Sequence, residues 1–243
     1  MGSTRLARKV LADVAGRPLI RRVIERVRAA VGIDDLVVAT TTEVEDDELV
    51  AALAQEWGCG VFRGSRDDVL ERFHDCAVAE RAEVIVRITA DDPFKDPAVV
   101  GRALQGLLGQ PRLDYYSNTV IPTYPEGLDV EAFRFSALAR AHREAQLKSE
   151  REHVTPYIWK HPALFSIANF CYQRDLSVWR WTVDKPNDLE FARAVFGHFA
   201  DDPLVGFETV VEWLERNPHI RALNANTVRN EGYLQSIENE RKP

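Results

Sequence analysis

Apolar residues along the chain alternate between short β-branched or aromatic runs and longer amphipathic stretches. The short runs predict strands. They are Asp35–Thr41, Gly60–Phe62, Glu83–Thr89 and Leu113–Asn118. Within Pro18–Ala30, Leu19, Val23 and Val27 recur at helical spacing, which predicts a helix. Further helices are predicted at 45–57, 67–80 and 96–108. This alternation predicts a three-layer α/β/α fold, with helices on both faces of a mostly parallel sheet.

After about Asn118 the alternation is less regular. A loop rich in proline and glycine, Ile121–Glu131, precedes the remaining predicted elements. Helices are expected at about 135–146, 151–160, 187–198 and 207–216, and strands near 165–171 and 179–183. No internal repeat or shift in composition marks a boundary, so we expect a single domain over residues 1–243.

Composition narrows the class of protein. The 243 residues carry 31 Lys and Arg against 38 Asp and Glu, a net charge of −7, which disfavours non-specific binding to nucleic acid. Three scattered cysteines favour neither a disulfide framework nor a zinc site. No apolar run is long enough to span a membrane. We therefore expect a soluble, cytoplasmic protein without a membrane partner.

Familiar phosphate-binding and hydrolase motifs are missing from the sequence. No segment matches the P-loop pattern, and Gly58-Cys59-Gly60 precedes a predicted strand where a dinucleotide-binding loop would follow one. No Gly-x-Ser-x-Gly elbow is present. These absences disfavour a P-loop ATPase, a nicotinamide dehydrogenase and a serine hydrolase.

The first residues are suited to binding phosphate. Gly2, Ser3 and Thr4 offer backbone N–H groups and hydroxyls, and Arg5 and Lys9 follow with positive charge. Such a loop can wrap a polyphosphate. An unstructured basic terminus is an equally acceptable interpretation of this segment alone.

Two aspartates directly follow predicted strands, Asp91 in RITADDPF and Asp184 in WTVDKPND. Ligands of open α/β sheets bind beyond the carboxyl ends of strands, and Mg²⁺ prefers one or two protein carboxylates together with phosphates. Each aspartate also has a structural interpretation: Asp91 or Asp92 as an Asx turn before Pro93, and Asp184 as a helix cap. Together with the cationic loop, they favour a metal–nucleotide site.

Several segments in order make the chain similar to a known family. They are MGSTRL, VVATTTEVEDDELV, VFRGSRDDVLERF, VRITADDPF, YYSNT, YPEGLDVEAF, REHVTPYI, WTVDKPNDLE and NEGYLQS. Nearly the whole chain resembles the cytidylyltransferases of spore-coat polysaccharide biosynthesis, relatives of the acylneuraminate and KDO cytidylyltransferases. The resemblance implies a glycosyltransferase-A-like nucleotidyltransferase fold. It also implies Mg²⁺-dependent transfer of CMP from CTP to a sugar or sugar acid, release of pyrophosphate, a role in surface polysaccharide or glycoconjugate synthesis, and a homodimer.

The resemblance assigns roles to individual positions. Those expected to bind CTP are Ser3, Thr4, Arg5 and Lys9 at the phosphates and Thr40 and Arg63 around the cytidine. Asp91 and Asp184 are the expected Mg²⁺ carboxylates, and they act in catalysis together with Arg5 and Lys9. The acceptor sugar is expected to contact Glu126, Gly127, Asp129, Glu131, Arg151 and His153, although Arg151-Glu152-His153 can equally be a structural helix start. Residues 119–165 would then form the acceptor-binding and dimerisation region, and 205–243 a C-terminal helical embellishment.

The chain departs from the family pattern at two places. The family begins with a hydrophobic strand that ends in Gln-Ala-Arg directly before Met-Gly-Ser-Thr-Arg, whereas Met1 opens this sequence. We therefore expect the first family strand to be missing and its neighbours to have open edges. A start site placed downstream and a dispensable strand both explain this. Ala7-Arg8 replaces the usual Pro-Gly, and Arg8 adopts a positive φ less readily than glycine.

Two other classes of function stay open at this stage. A metal-dependent glycosyltransferase would use the same fold to bind a nucleotide-sugar, and a non-catalytic relative would bind no nucleotide. The identity of the acceptor and the general base, a metal-bound water or Asp184, are not fixed by the sequence. Aromatic residues that fit either an interface or the core are Tyr115, Tyr116, Trp159 and Trp179.

Overall fold

The computed structural model describes residues 8–225 and 227–241. Its strands are β1 (Asp13–Val14), β2 (Arg17–Pro18), β3 (Val37–Thr41), β4 (Gly60–Gly64), β5 (Val84–Arg87), β6 (Tyr115–Ser117), β7 (Glu131–Arg134) and β8 (Ile167–Asn169). Four of the strands predicted from β-branched and aromatic runs, β3 to β6, lie within one or two residues of the expected positions.

The α-helices are α1 (Leu19–Arg28), α2 (Asp47–Ala51), α3 (Val69–Ala79), α4 (Pro97–Leu108), α5 (Phe135–Glu144), α6 (Lys148–His153), α7 (Pro156–Lys160), α8 (Pro186–His198), α9 (Phe207–Arg216), α10 (Pro218–Arg221) and α11 (Glu231–Arg241). Short 3₁₀ turns occur at Lys9–Leu11, Val44–Asp46 and Ala222–Asn224, and a π-helical turn at Ala52–Glu56 extends α2.

The start of α4 shows why a helix boundary can be predicted from a few neighbouring residues. Asp96 accepts hydrogen bonds from the N–H groups of Ala98 and Val99, and Pro97 occupies the first turn.

The strands form a mixed arrangement that confirms the predicted α/β class. β3 and β4 pair in parallel, and the larger sheet has the order β5-β7-β6-β8. Within it, β6 and β8 are parallel, while β7 runs antiparallel to both β5 and β6. The prediction missed β7, because its residues follow the proline- and glycine-rich loop and look like a continuation of it.

Among the described residues, β3 pairs only with β4, and β5 only with β7. These two strands therefore have one ladder edge each without a strand partner in that part of the chain.

Helices cover both faces of the strands in three layers. On one face α1, α4, α8 and α9 share a continuous apolar core that includes Val100, Trp181 and Phe191. On the other face α3, α5 and α7 pack around Leu70, Phe133 and Leu138. A smaller cluster joins α1 and α2 to β3 and β4. Burial of these apolar faces is the main favourable term in folding.

Two predicted elements differ in the structure. The expected helix at 151–160 is divided into α6 and α7, because Val154 adopts a positive φ of 73° before Pro156. No strand forms at 179–183; one parallel bridge joins Arg180 to Glu126 instead. None of the described helices combines the length and apolarity needed to cross a bilayer.

Candidate active site

Asp91 lies four residues beyond the end of β5, where the chain leaves the sheet. The Val183 N–H donates to the Asp91 carbonyl oxygen at 2.9 Å, so the segment leading to Asp184 is fixed beside Asp91. The predicted closeness of the two aspartates is therefore produced by backbone contact between segments far apart in sequence.

Asp184 is held in place by the first turn of α8. The carboxylate of Asp188, which is 1% exposed, accepts hydrogen bonds from the N–H groups of Asp184 and Lys185 at 2.9 and 2.8 Å. A carboxylate in the first turn satisfies N–H groups that have no partner inside the helix. The cap of α8 therefore also fixes the backbone that carries Asp184.

Lys9 brings the two aspartates to a common point. Its Nζ lies 2.8 Å from Asp91 Oδ2 and 2.7 Å from Asp184 Oδ1. Burial disfavours the charged amine, but the two carboxylates outweigh it and raise the pKa of Lys9 above its ordinary value. The structure thus holds two carboxylates around one positive charge.

These carboxylates fit the binding of Mg²⁺ together with a nucleotide. Two oxygens that converge on one cationic nitrogen can converge on a metal ion, and Mg²⁺ takes its other ligands from phosphates and water. Over residues 8–225 and 227–241, no group of three or more His, Cys, Asp and Glu side chains is arranged to hold a metal by itself. The pair is thus suited to an ion that brings phosphate ligands with it.

The neighbouring aspartate, Asp92, has a different role. It is 4% exposed, forms an ion pair with the buried Lys95 at 2.8 Å, and accepts a hydrogen bond from the Thr89 hydroxyl. Asp92 is therefore held by buried structural partners, while Asp91 faces Lys9.

Arg180 is a site residue that the sequence pattern did not reveal. Its guanidinium donates to Glu126 Oε2 at 2.8 Å, Asp184 Oδ2 at 2.9 Å and Asp188 Oδ1 at 3.0 Å, and its side chain is 4% exposed. Burial alone would lower the pKa of Arg180, but the carboxylates reverse the direction and raise it. An arginine between two tryptophans in an otherwise apolar segment was the available signal, since such a charge needs buried partners.

The residues expected around the cytidine, Thr40 and Arg63, face each other in the β3–β4 ladder. The Thr40 hydroxyl donates to Asp46 at 2.6 Å, and Arg63 donates to Asp47 and to the carbonyl oxygens of Thr41 and Glu43. The structure brings this pair together at the carboxyl ends of the two strands. Their contact with a nucleotide stays a prediction.

Three of the expected acceptor residues lie together near Arg180. Glu126 is 8% exposed and uses one carboxylate oxygen for Arg180 and the other for the Asn230 N–H. Gly127 has φ +104°, and Asp129 forms an ion pair with Arg229. Burial raises the pKa of Glu126 and of Asp129. Within this group, the carboxylate of Glu126 fixes the position of the loop.

The other three expected acceptor residues form separate contacts. Glu131 is buried and accepts hydrogen bonds from Tyr115, Thr155 and Arg87. The remaining two bind neighbouring elements. Arg151 pairs with Asp68 of the loop before α3, and His153 lies 3.0 Å from the Ser236 hydroxyl of α11. These three residues thus contact other parts of the chain, and their binding to an acceptor stays a prediction.

Ser3, Thr4 and Arg5 lie outside the described residues. The described part of the predicted phosphate loop begins at Arg8, which has a φ of +54°, the conformation for which glycine is better suited. Arg8 forms an ion pair with Glu48, and Lys9 contacts Asp91 and Asp184.

Known proteins resemble this chain over most of its length. Residues 1–206 match a family model described as cytidylyltransferase. The spore coat polysaccharide biosynthesis protein SpsF of Bacillus subtilis is 34% identical over 225 residues, covering 90% of this chain and 92% of the relative. A 3-deoxy-manno-octulosonate cytidylyltransferase of Anaeromyxobacter dehalogenans is 27% identical, covering 80% and 93%. A solved cytidylyltransferase of Leptospira borgpetersenii superposes with a TM-score of 0.87 at 29% identity, covering 94% of each chain.

Proposed function

The chain belongs to the cytidylyltransferase family, and from that premise we propose that it transfers CMP from CTP to a hydroxyl group of a sugar or sugar acid. The observation that carries the proposal is the convergence of Asp91, Asp184 and Lys9 beyond the strand ends. Two carboxylates and one cation at that position suit a triphosphate with its metal ion. The names of the two curated relatives support a sugar-acid acceptor and a role in surface polysaccharide synthesis.

The proposed reaction is an in-line displacement. The acceptor oxygen forms a bond to the α-phosphorus of CTP, while the bond from that phosphorus to the bridging oxygen of the β-phosphate breaks. Pyrophosphate leaves with the electron pair, and the acceptor proton passes to solvent. Such chemistry depends mainly on positioning and on stabilisation of charge.

The residues of the site would share this work. Asp91 and Asp184 would hold Mg²⁺, which neutralises phosphate oxygens and orients them. Arg180 and Asp188 fix the position of Asp184. Lys9 and Arg5 would offer positive charge to the departing pyrophosphate.

A nucleotide panel tests this proposal. Thermal unfolding would be followed with CTP, UTP, ATP and GTP, each with and without Mg²⁺. We expect selective stabilisation by CTP with Mg²⁺, of about 2.7 kcal/mol when the ligand is at about 100 times its Kd. Pyrophosphate release from CTP on addition of a sugar acid would then establish the transfer. Stabilisation by nucleotide-sugars alone would favour a glycosyltransferase and contradict the proposal.

We further propose that the protein is a homodimer that pairs through residues 119–165. In this region Ile121 is 61% exposed and Leu147 49% exposed, and a dimer formed here would bury their apolar area. Sedimentation should give twice the mass of the 27.5 kDa chain, and Ile121→Asp should lower it. A monomer at all concentrations would contradict this.

A further inference from the structure

Lys9 occupies the place that a cation shared by the two aspartates would take. Its ammonium group lies within 2.8 Å of one oxygen from each carboxylate, and its side chain is 14% exposed. The other oxygen of Asp184 accepts a hydrogen bond from Arg180. A metal ion bound by Asp91 Oδ2 and Asp184 Oδ1 would therefore lie directly beside a positive charge on the same two oxygens.

Electrostatic repulsion prevents the amine and the metal from sharing these oxygens. Like charges at contact distance repel strongly, and they do so more in a partly buried site than in water. Mg²⁺ binds its oxygen ligands at about 2.0–2.1 Å, so a metal ion on these two oxygens would compete with the amine for the same positions. The displaced amine then needs another negative partner, and a triphosphate supplies one.

The main chain around Lys9 allows the side chain to move alone. Val10 and Leu11 pack against the cluster of α1 and α2, and the Ala12 N–H donates to the Lys9 carbonyl oxygen at 3.0 Å. The four-carbon stem of lysine is flexible. The amine can therefore leave the carboxylates while its backbone stays anchored.

We propose that Lys9 is an internal cation that is exchanged for the metal: it neutralises Asp91 and Asp184 in the nucleotide-free protein and transfers to the triphosphate when metal and CTP arrive together. This inference rests on the proposed function for the identity of the nucleotide. The exchange predicts that a divalent ion alone binds weakly, because it must displace the amine without offering it a new negative partner. Metal and nucleotide therefore increase each other's affinity by the same factor.

Metal binding to the nucleotide-free protein tests this directly, without any measurement of catalysis. Mn²⁺ serves as the probe, since its electron paramagnetic resonance signal reports the free ion. The variants are Lys9→Met, which removes the charge, and Arg216→Met, which removes an exposed arginine at the end of α9 and gives the same net charge. We expect Lys9→Met to bind Mn²⁺ at least about tenfold more tightly than the wild type, while Arg216→Met binds as the wild type does.

Calorimetric titration with CTP gives the second half of the test. In the wild type Mn²⁺ should increase CTP affinity strongly, and in Lys9→Met this factor should be smaller. If Lys9→Met binds Mn²⁺ no more tightly than the wild type, the exchange is overturned, whether or not CTP binds. If the wild type binds no CTP, the proposed function fails, and the Mn²⁺ comparison still decides whether Lys9 blocks the metal.

A folding defect is controlled by a second variant and a second measurement. Lys9→Gln removes the charge but keeps a hydrogen-bond donor for the carboxylates. Without divalent ions both Lys9 variants should have a lower Tm than the wild type, because Asp91 and Asp184 lose the positive charge that they share. Mn²⁺ should raise their Tm more than it raises that of the wild type. An equal rise in all three proteins would contradict the exchange.

Discussion

Arg180 joins two parts of the site that lie far apart in the sequence. Its planar guanidinium contacts Glu126 in the proposed acceptor loop and Asp184 in the proposed metal-binding pair, and it is almost fully buried. Arginine suits such a position because its donors are fixed in a fork that matches carboxylate groups. Without this residue, three buried carboxylates would lose a shared cation.

Arg180→Met should therefore destabilise the fold. Breaking a buried ion pair by removing one partner costs about 3–5 kcal/mol. The matched control is Arg174→Met, whose pair with Glu215 is 48% and 40% exposed and should contribute little to stability. Urea unfolding of both variants measures the difference, and equal loss in the two would show that Arg180 is not a buried anchor.

Asp91 and Asp184 carry the prediction for catalysis. Replacing either with alanine removes a carboxylate that stabilises charge, and it should lower kcat by about 10²–10³, or about 2.7–4 kcal/mol of barrier. Asp35→Ala, on an exposed residue before β3, is the control. Pyrophosphate release is the measurement. Turnover near that of the wild type in both site variants would eliminate the metal-binding assignment.

The loop around Gly127 crosses the chain segment that carries Arg180. The Glu126 N–H donates to the Trp179 carbonyl oxygen at 2.8 Å, and the Trp181 N–H donates back to the Glu126 carbonyl oxygen at 2.6 Å. Gly127 follows with φ +104°, a conformation that side chains rarely adopt. The crossing of the two segments is close enough that glycine is required there.

Gly127→Ala should disrupt this crossing. A Cβ at this position would lie 2.7 Å from Thr182 N and Trp181 C, on top of the strain of a positive φ. We expect a loss of about 1–3 kcal/mol or more in the free energy of unfolding.

The control is Gly197→Ala in α8, where a Cβ has no neighbour within 4 Å. Alanine is the better helix former and should stabilise the protein by up to about 1 kcal/mol. Thermal unfolding distinguishes the two variants by sign, and a stabilised Gly127→Ala would refute the tight crossing.

Across the whole molecule, the C-terminal segment ties the elements of the site together. Arg229 pairs with Asp129, Glu231 pairs with Lys185 at 2.9 Å, and α11 packs against α6 through His153. The His153 ring also lies edge-on to Tyr233, with ring centres 5.1 Å apart. Residues 229–236 therefore pack against elements from the middle of the chain.

This packing predicts a pH dependence of stability. Burial lowers the pKa of His153 below its ordinary value of 6.5, and burial lowers that of His142 as well. Between the lowered pKa and 6.5 the unfolded chain binds more protons than the folded protein, so stability falls as the pH falls through this range.

Urea unfolding at about pH 7.5 and about pH 5.5 measures this loss. His153→Gln should reduce it, because glutamine does not titrate there and keeps a polar contact for Ser236. An unchanged loss in that variant would assign the pH dependence to other groups.

Local patterns in the sequence were enough for the longer helices α1, α3, α4, α5, α8 and α9 and for strands β3 to β6. Periodicity and capping residues act over a few positions, so α1, α4 and β3 were predicted close to their observed bounds. Asp91 and Asp184 were found because each follows an apolar segment at which the chain turns. Lys9 was found as a cation of the N-terminal loop, and resemblance to the family added its role toward CTP and the positions expected around the cytidine and the acceptor.

The sequence by itself thus determined the α/β class and the residue types of the candidate site. Only the tertiary structure decided that Asp91 and not Asp92 faces Lys9, and that β7 inserts antiparallel between β5 and β6. It also decided that Arg180 links Glu126 to Asp184. The physical reason is the range of the interactions. A hydrogen bond or an ion pair between residues 54 positions apart depends on how the whole chain packs, and no local pattern records it.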